Sequence, residues 1–594
     1  MNAPLPYDRR AFMGYFASVG LGSTLLPGVL WGRVAGGEEI TVASIAAAEE
    51  VAGVTFDEEE RAAMLDGLKR QAAQLDALHK FPLPNDVAPA IIFNPLPPGV
   101  TPTPARGERQ PAVRSRVAPR TAPRDLDELA FLPVTELSAL VRARKVTAAQ
   151  LTDMYLARIK KYDPVLKAVI TVTEDRARRQ AKMLDDELAR GRYRGPLHGI
   201  PWGAKDLLAA RGYPTTWGAG PYRTQVIDAD ATVVERLDAA GAVLIAKLTL
   251  GELAQGDVWF GNGPTDAGPQ ETTRKGQRTR NPWNLEQGSS GSSAGPASAT
   301  AAGLVGFSIG SETLGSISSP ATRVGVTGLR PTFGRVPRTG AMALSWTMDK
   351  LGPLCRSVED CALVLDAIYG PDGRDLTVID AAYRWDATLK PQSLRVGYVK
   401  SAFDLPATDP ANERRQQHAT KPFDDAALDV LRKLGVTLIP VELPDLPYDA
   451  MRIVLTAEAA AAFDELTRSN RDKELVQQGR GDWANTFRTA RFIPAVDYVN
   501  ANRARSVAIA KWAEVMKSVD VIVSPTNASG LSQLVATNLT GHPSVILPHG
   551  FRADGTPVSL TFLGGLFEEG KLLAVAHAYQ QATDFHLKHP VVKV

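Results

Sequence analysis

Short apolar runs alternate with amphipathic helical patterns along most of this chain. From Thr55, apolar residues return every three or four positions, and Thr55 with Glu58 has capping-box spacing, which predicts a helix. Further helical patterns follow Val146 and cover 230–240 and 424–434. We interpret four short apolar runs between such patterns as buried strands: 242–246, 305–309, 394–398 and 519–523. This alternation predicts an α/β fold with a mixed central β-sheet and helices on both faces.

A proline-rich stretch separates the first helix from the rest of the chain. Eleven prolines lie from Pro82 to Pro123 with few large apolar residues, which indicates an extended linker that lies over the main domain. A proline-rich recognition segment is the alternative interpretation. The predicted organisation has four parts: an export signal over 1–36, a small helical extension over 37–81, the linker over 82–125 and one large domain over 126–594.

The amino terminus resembles a twin-arginine export signal. Arg9 and Arg10 precede an uncharged stretch over 11–31 that is less hydrophobic than a committed membrane span. We therefore expect a periplasmic or secreted protein, in contact with a membrane only through this segment if it is not cleaved. A retained anchor and a cytosolic amino terminus are the alternatives. The cleavage site is not evident, although Val34–Gly36 offers small residues.

Charge and cysteine content narrow the classes of partner. The 594 residues include 67 Lys plus Arg and 65 Asp plus Glu, which give a net charge of +2. Such a balance excludes non-specific electrostatic binding to nucleic acid or to an anionic membrane, and it favours a small-molecule partner. The only cysteines, Cys355 and Cys361, exclude a disulfide framework. They flank a capping signal at Ser357, so we expect buried thiols at a strand-to-helix junction, with a short disulfide as the alternative after export.

A histidine pair and a basic run are better explained as solvent-exposed surface than as binding sites. His586 and His589 have a spacing that could hold a metal, but no carboxylate cluster accompanies them, so a solvated face of a terminal helix is favoured. No metal or other cofactor is expected. A basic run is interpreted as a solvated loop: Arg274, Lys275, Arg278 and Arg280.

The densest group of small residues carries the candidate chemistry. Serines and glycines fill 288–295 and 310–320, where backbone amides can turn toward a ligand and hydroxyls can act as nucleophiles. A flexible linker is disfavoured, because apolar residues lie between the two clusters. Two Gly-x-Ser-x-Gly patterns, centred on Ser293 and Ser308, match the nucleophile elbow of α/β-hydrolases, but Ser308 lies inside a strand-like run.

A third interpretation explains more of the sequence. The segment Gly199–Asp206 reads Gly-Ile-Pro-Trp-Gly-Ala-Lys-Asp, and with the two serine clusters it resembles the amidase signature family. The resemblance extends in order over about 127–590. Further segments that carry it are 230–237, 280–285, 325–332, 352–360, 524–526, 538–543 and 547–548.

The resemblance implies three catalytic residues, Lys205, Ser292 and Ser316. In the family, the last serine attacks the carbonyl, and the middle serine, which follows a cis peptide, relays the proton to the lysine. The chemistry is sound by itself, because a desolvated lysine has a lowered pKa and can act as a base. The resemblance also implies an oxyanion hole from the backbone N–H groups of the residues that lead to and include the nucleophile: Thr313, Leu314, Gly315 and Ser316.

The sequence departs from the usual family pattern in two places. Over 312–318, Ser318 stands where the family commonly has arginine, and Leu314 is bulkier than the usual glycine. These changes affect the support of the loop and leave the three catalytic groups in place. Only eleven residues separate Thr526 from Asn538, where relatives often carry more, so we expect a more open or differently capped pocket.

These observations predict an exported serine amidohydrolase that cleaves a carboxamide C–N bond through an acyl-enzyme. Carbamate or ester cleavage on the same scaffold is an alternative. Glutamine-fed transfer of ammonia to a charged tRNA is another, and export argues against it. A non-catalytic binding protein on an inactive scaffold is the alternative outside enzymes. The choice among aryl, alkyl and peptide amides stays open, as does a homodimer.

Overall fold

A computed structural model of the chain describes residues 40–52, 55–79, 84–87, 89, 91–104, 112–260 and 276–593. The strands are β1 Val169–Val172, β2 Pro201–Lys205, β3 Val243–Leu248, β4 Val258–Trp259, β5 Gln277–Arg278, β6 Arg280–Asn281, β7 Asn284–Gly288, β8 Phe307–Glu312, β9 Thr327–Arg330, β10 Lys350–Cys355, β11 Val396–Val399, β12 Thr408–Asp409, β13 Asn412–Gln416, β14 Leu438–Val441, β15 Val521–Pro525, β16 Ser544–Phe551 and β17 Pro557–Gly564.

The α-helices of the described residues are α1 Val42–Ala52, α2 Glu58–His79, α3 Val134–Arg142, α4 Ala148–Leu166, α5 Glu174–Ala189, α6 Thr232–Ala239, α7 Ala294–Ala301, α8 Ser318–Val324, α9 Val358–Ile368, α10 Lys400–Asp404, α11 Lys421–Lys433, α12 Tyr448–Met451, α13 Ile453–Ala462, α14 Asp464–Arg468, α15 Trp483–Ala490, α16 Ala495–Ser518, α17 Gln533–Thr540 and α18 Glu569–Gln581. None of the helices in these ranges combines the length and apolar character needed to cross a membrane.

Eleven strands form one mixed sheet in the order β1-β3-β2-β8-β10-β9-β16-β17-β15-β11-β14. Strand β2 runs parallel to both of its neighbours, β3 and β8, and β11 runs parallel to β14 and β15. The other pairs in the sheet are antiparallel. Because parallel neighbours end at the same edge, the last residues of β2 and β8 lie together.

Helices cover both faces of this sheet. On β16, Ile546 belongs to an apolar cluster with Ala321 of α8, whereas Val545 and Leu547 belong to the cluster that contains Leu572 of α18. Successive side chains of a strand point to opposite faces, so α8 and α18 pack on opposite sides of the sheet. The predicted fold class, a mixed α/β sheet with helices on both faces, is therefore confirmed.

The predicted strands all form, but their bounds shift. The predicted run over 305–309 becomes β8, which begins at Phe307 and continues to Glu312. Its apolar start belongs instead to the turn after α7, where the N–H of Leu304 donates to the carbonyl of Ala299 at 2.8 Å. Apolar residues of a buried turn and of a buried strand are equally hydrophobic, so the pattern alone placed the boundary too early.

The amino-terminal extension is helical, as predicted. Helices α1 and α2 pack through a small apolar cluster of Ile40, Ile45 and Ala72, with Met64, Leu65 and Leu68 at its edge. The predicted capping box of Thr55 and Glu58 is wrong by two residues. The N–H of Glu60 donates to Asp57 Oδ1 and the N–H of Asp57 donates to Glu60 Oε2, both at 2.8 Å. Asp57 is the better cap, because a carboxylate accepts strongly at a helix amino terminus.

The linker contacts the main domain, as we expected. We call its first described part, residues 84–87, 89 and 91–104, the strap. The guanidinium of Arg505 lies 3.4 Å from the centre of the Phe93 ring, which also packs edge-on against Phe333 at 5.1 Å. The Asn85 side chain donates to the carbonyl of Ala343 at 2.9 Å and accepts from the N–H of Ala343 at 2.8 Å.

Some predictions fall outside the described residues. These are the twin-arginine signal over 1–36, with Arg9 and Arg10, and the first half of the basic run, Arg274 and Lys275. The second half is not a simple solvated loop, because Arg278 lies in strand β5 and its Nε is 3.4 Å from a carboxylate oxygen of Asp257.

Candidate active site

Lys205 ends the buried strand β2 beside the end of β8. The parallel register pairs Ala204 with Ile309, which brings Ser311 of β8 close to Lys205. Lys205 is fully buried. The placement follows from sheet geometry, because two parallel neighbours deliver their last residues to one edge.

Three serine hydroxyls surround the Lys205 amine. Its Nζ lies 2.8 Å from Ser292 Oγ, 2.9 Å from Ser311 Oγ and 3.1 Å from Ser293 Oγ. Among the described residues, no carboxylate hydrogen-bonds to this amine. Burial therefore lowers the pKa of Lys205 well below its ordinary value, against the smaller opposing effects of Asp349 and Glu312.

The directions of the hydroxyl hydrogen bonds indicate which of the three serines can donate a proton to a neutral Lys205. A neutral lysine has two N–H donors and one lone pair. Ser293 Oγ donates its own proton to the carbonyl of Ser311 at 3.1 Å, so it can only accept from Lys205. The lone pair of a neutral Lys205 is then left to accept a proton from Ser292 or Ser311.

Ser292 lies on a tightly packed turn before α7. The peptide bond between Gly291 and Ser292 is cis, as the family resemblance implied, and Ser292 is buried. A β-carbon at Gly291 would lie 1.8 Å from the carbonyl oxygen of Gly256, so no other residue fits there. The N–H of Ser293 donates to the carbonyl of Ser316 at 3.0 Å and joins the two serine segments through their backbones.

Ser316 lies on the loop of residues 313–316 between β8 and α8, which we call the Ser316 loop. Ser316 is 9% exposed, more than Ser292. Gly315 has φ +93°, a left-handed conformation that favours glycine. Among the described residues, the N–H groups of Leu314, Gly315 and Ser316 donate to no other group of the chain, so they are available to a bound oxyanion.

The carboxylate of Glu312 closes one end of the Ser316 loop. Its Oε2 accepts from the N–H groups of Ile317 and Ser318 at 2.9 and 2.8 Å, and from the Ser318 hydroxyl at 2.8 Å. Its Oε1 accepts from Arg330 and Asn538, each at 2.8 Å. Burial alone would raise the pKa of Glu312, but the charge and hydrogen bond of Arg330 lower it to about 2.

This arrangement explains how the loop is supported without the usual arginine at 318. The Ser318 hydroxyl donates to Glu312 instead, and the positive charge beside Glu312 comes from Arg330 on β9. Leu314, the second departure, packs against the apolar cluster that includes Met348 and Leu539.

A second carboxylate holds the start of the loop. The Thr313 hydroxyl donates to Asp349 Oδ1 at 2.6 Å, and Asp349 Oδ2 accepts from the N–H groups of Leu344 and Ser345. Burial raises the pKa of Asp349. The Ser316 loop is thus held at both ends by buried hydrogen bonds, as an oxyanion site requires.

A cavity of about 470 Å³ lies beside the Ser316 loop. It is bounded by α8, by α17 and by the hairpin of β16 and β17. The short segment between Thr526 and Asn538 contributes to its wall, and the greater openness expected from that short segment stays a prediction. The lining residues are Gln287, Ser290, Ser318, Ser319, Thr322, Arg323, Thr526, Asn527, Gln533, Leu534, Ser544, Arg552, Asp554, Thr556, Pro557 and Thr561.

The structure brings Lys205 and Ser292 into direct contact, and Ser316 onto the adjoining loop. No hydrogen bond joins the hydroxyls of Ser292 and Ser316 in the described residues, so proton transfer between them belongs to the proposal below. Sequence reasoning missed Ser311 and Asp349 as supports of this site. Ser311 could have been found from the parallel pairing of β2 with β8, but Asp349 reaches the loop from a distant turn that has no motif.

The competing nucleophile elbow does not form at Ser308. This residue lies inside β8, and its hydroxyl donates to the carbonyl of Pro296 at 2.8 Å in the core. The cysteines behave as expected, because Cys355 and Cys361 are buried free thiols at a strand-to-helix junction, and Ser357 caps α9.

The histidine prediction is wrong in part. Helix α18 ends at Gln581, and His586 lies in a separate short 3-10 helix, where burial lowers its pKa to about 4. His589 is exposed, as predicted, and its ring stacks on the Phe131 ring with the two centres 3.8 Å apart. Among the described residues, no group of three His, Cys, Asp or Glu side chains is arranged so that it could hold a metal ion.

The chain is also similar to known proteins in sequence and in fold. A family model described as Amidase matches residues 150–534. A glutamyl-tRNA(Gln) amidotransferase subunit of Methylococcus capsulatus is 35% identical over 498 residues, which cover 77% of this chain and 98% of that protein. The corresponding protein of Geobacillus thermodenitrificans is 35% identical over 501 residues, 77% of this chain and 99% of that protein. The native peptide amidase of Stenotrophomonas maltophilia is 31% identical, with a TM-score of 0.67 over 79% of this chain and 100% of that one.

Proposed function

Because the chain belongs to the amidase family, whose chemistry is hydrolysis of an amide C–N bond, we propose that it is a serine amidohydrolase with Ser316 as nucleophile. One observation carries the proposal. The buried amine of Lys205 contacts Ser292 at 2.8 Å, no carboxylate of the described residues hydrogen-bonds to it, and burial lowers its pKa well below the ordinary value. A neutral lysine is a base strong enough to take a hydroxyl proton.

In the first half-reaction, Ser316 Oγ attacks the carbonyl carbon of the substrate. Its proton passes to Ser292, whose own proton passes to Lys205. The oxygen of the tetrahedral intermediate accepts hydrogen bonds from the N–H groups of the Ser316 loop, including Thr313, Leu314 and Gly315. The relay then returns a proton to the leaving nitrogen as the C–N bond breaks, since an unprotonated amine leaves poorly.

In the second half-reaction, water attacks the ester on Ser316. The relay takes one proton from that water, and the same N–H groups stabilise the second tetrahedral intermediate. Collapse of this intermediate breaks the bond to Ser316 Oγ, which regains its proton, and releases the carboxylic acid. Loss of one oxyanion donor typically costs about 3–4 kcal/mol, so the loop supplies much of the rate.

A fluorophosphonate probe tests this proposal, because it labels activated serines. We expect the purified chain to be labelled at Ser316, as located by mass spectrometry of the labelled peptide, and we expect no labelling of Ser316→Ala. Ser506→Ala, on the exposed face of α16, is the matched control and should label normally. Labelling of Ser316→Ala at the wild-type rate would contradict the nucleophile, and a wild-type chain that never labels would favour the non-catalytic binding protein.

Ammonia transfer to a charged tRNA is the second candidate. It is favoured by the 35% identity to two proteins named as glutamyl-tRNA(Gln) amidotransferase subunits. A transferase of this kind would release ammonia from glutamine and deliver it to a partner's acceptor. Hydrolysis of simple carboxamides by the chain alone, with no stimulation by charged tRNA, is the result expected for the amidohydrolase.

We also propose export. Arg9 and Arg10 before an uncharged stretch support it, and a twin-arginine route carries folded proteins. An exported enzyme would act on small amides outside the cytoplasm.

A further inference from the structure

Most of the residues that line the cavity beside the Ser316 loop have polar side chains. Its sixteen lining residues include only two apolar ones, Leu534 and Pro557. Ligand cavities are usually lined by hydrophobic and aromatic side chains with a few polar groups, so this lining is unusual. Most of the other lining residues offer a hydroxyl or a carboxamide that can both donate and accept, namely Gln287, Ser290, Ser318, Ser319, Thr322, Thr526, Asn527, Gln533, Ser544, Thr556 and Thr561.

The cavity begins next to the candidate nucleophile. Ser318 and Ser319, which line it, follow Ser316 by two and three residues. On the opposite side, the Cδ2 atom of Leu534 lies 3.3 Å from the position that a β-carbon of Gly315 would take. A group bound in the cavity would therefore adjoin the carbonyl that Ser316 attacks.

Two of the lining side chains have no hydrogen-bond partner among the described residues. Gln533 is 4% exposed as a residue, and its unpaired carboxamide reaches the accessible space of the cavity. Ser544 is 1% exposed, and its hydroxyl also lacks a partner. Buried polar groups are nearly always hydrogen-bonded, and an unpaired one costs about 1–3 kcal/mol. The Ser544 hydroxyl is enclosed in this way, and the Gln533 carboxamide lines the same cavity, so a ligand bound there is in position to pair with both.

A third feature is consistent with this. The hydroxyls of Thr526 and Thr561 lie 2.8 Å apart, so one donates to the other and the second proton is left for a further acceptor. The cavity thus offers donors and acceptors on both its α17 side and its β17 side.

We propose that this cavity binds a hydrogen-bonding portion of the substrate, of the kind a peptide backbone presents, and that Gln533 and Ser544 are specificity-determining residues. This inference rests on the proposed amidohydrolase function. An alkyl or aryl chain would leave both side chains unpaired, and a site built around hydrogen bonds rejects analogues that lack them far more strongly than an apolar pocket rejects a missing methylene. Peptide-like amides are therefore the preferred substrate class.

The test compares kcat/KM for a capped dipeptide amide and for a straight-chain alkyl amide of the same length. We expect the wild-type chain to prefer the dipeptide amide by at least about tenfold. Gln533→Met keeps the size of the side chain and removes its hydrogen bonds. It should lower kcat/KM about tenfold for the dipeptide amide and less than about twofold for the alkyl amide. Ser544→Ala should act in the same direction.

Controls separate this inference from the function on which it rests. Gln581→Met, at the exposed end of α18, should leave both substrates unchanged. Fluorophosphonate labelling of each variant at the wild-type rate shows that the nucleophile is intact. A labelled wild-type chain that hydrolyses the alkyl amide equally well, or a Gln533→Met variant that loses both substrates in proportion, overturns the specificity inference alone. A chain that neither labels nor hydrolyses any amide overturns the proposed function and the inference together.

Discussion

Among single residues, Lys205 has unusual surroundings for a lysine. A buried lysine normally pairs with a carboxylate, as Lys247 does with Asp206 one strand away at 2.7 Å. Within the described part of the chain, Lys205 hydrogen-bonds only to hydroxyls, and burial shifts its pKa well below the ordinary value. The two lysines lie on neighbouring strands of the same sheet, so the difference comes from their partners and not from their depth.

Replacement of Lys205 tests whether its proton matters. Arginine keeps the positive charge but cannot lose it, so Lys205→Arg should lower kcat about 10³-fold. In the wild type, kcat/KM should rise with pH as Lys205 loses its proton and reach a plateau well below pH 10.5, because the pKa is lowered. Lys182→Arg, an exposed change on α5, is the matched control. Full activity of Lys205→Arg would exclude the relay.

Glu312 links the site to stability. Its pKa falls from the ordinary 4.5 to about 2, so its stabilisation is complete above about pH 4.5 and disappears as the pH falls through 2. We expect Glu312→Gln to lose on the order of 3 kcal/mol of unfolding free energy at pH 7 and on the order of 1 kcal/mol at pH 3. Urea unfolding at the two pH values measures this. Glu514→Gln, at the surface of α16, should show no such difference; an equal loss at both pH values would contradict the ionic explanation.

At the scale of elements, the Ser316 loop depends on parts of the chain that are far apart in sequence. Asp349, which holds Thr313, also accepts from Ser345, and the Ser345 hydroxyl donates to Glu458 of α13 at 2.6 Å. Arg505 of α16 donates to Thr347 in the same turn, and its guanidinium packs against the ring of Phe93. The strap therefore packs on the framework that supports the loop, although it contacts no candidate catalytic residue.

This packing predicts that substitutions in the strap change the unfolding free energy according to how far the replaced side chain is buried. Phe93→Ala should lower the unfolding free energy by about 2 kcal/mol, because it removes a partly buried ring and its contact with a guanidinium. Ile92→Ala, the neighbouring residue and 51% exposed, is the control and should cost less than about 0.5 kcal/mol. Urea denaturation followed by tryptophan fluorescence measures both. A loss for Phe93→Ala as small as that for Ile92→Ala would show that the packing of Phe93 adds nothing to the stability of the fold.

At the scale of the whole molecule, the predicted export route can be tested directly. Lysine keeps the charge of the amino terminus but not the arginine pair that a twin-arginine receptor reads, so Arg9→Lys with Arg10→Lys should retain the full chain inside the cytoplasm. Cell fractionation with fluorophosphonate labelling of each fraction measures the location. Lys69→Arg with Lys80→Arg, outside the predicted signal, is the control. Unchanged export of the double lysine variant would contradict this route.

The sequence predicted the strands because buried apolar runs are a local signal. The contact between Lys205 and Ser292 was implied by the resemblance to the amidase signature family, since the two residues are 87 positions apart. The sequence could not place Ser311 or Asp349, since their roles come from strand pairing and from a turn far along the chain. The cap at Asp57 and the stacking of His589 were missed for a related reason. Thr55 and Asp57 are both suitable N-cap residues for α2, and the sequence does not show which of them is used. His589 meets the Phe131 ring only when the chain has folded.

The strap also limits how far the chain can be truncated from its amino terminus. The last proline of the linker is the natural place to begin a shortened chain, yet a chain that starts at Leu126 would lose Asn85 and Phe93 and uncover the guanidinium of Arg505. The smallest piece that unfolds as one cooperative unit should therefore start near Asn85. The domain start that sequence composition indicates, Leu126, therefore lies about forty residues after the start of the cooperative unit near Asn85.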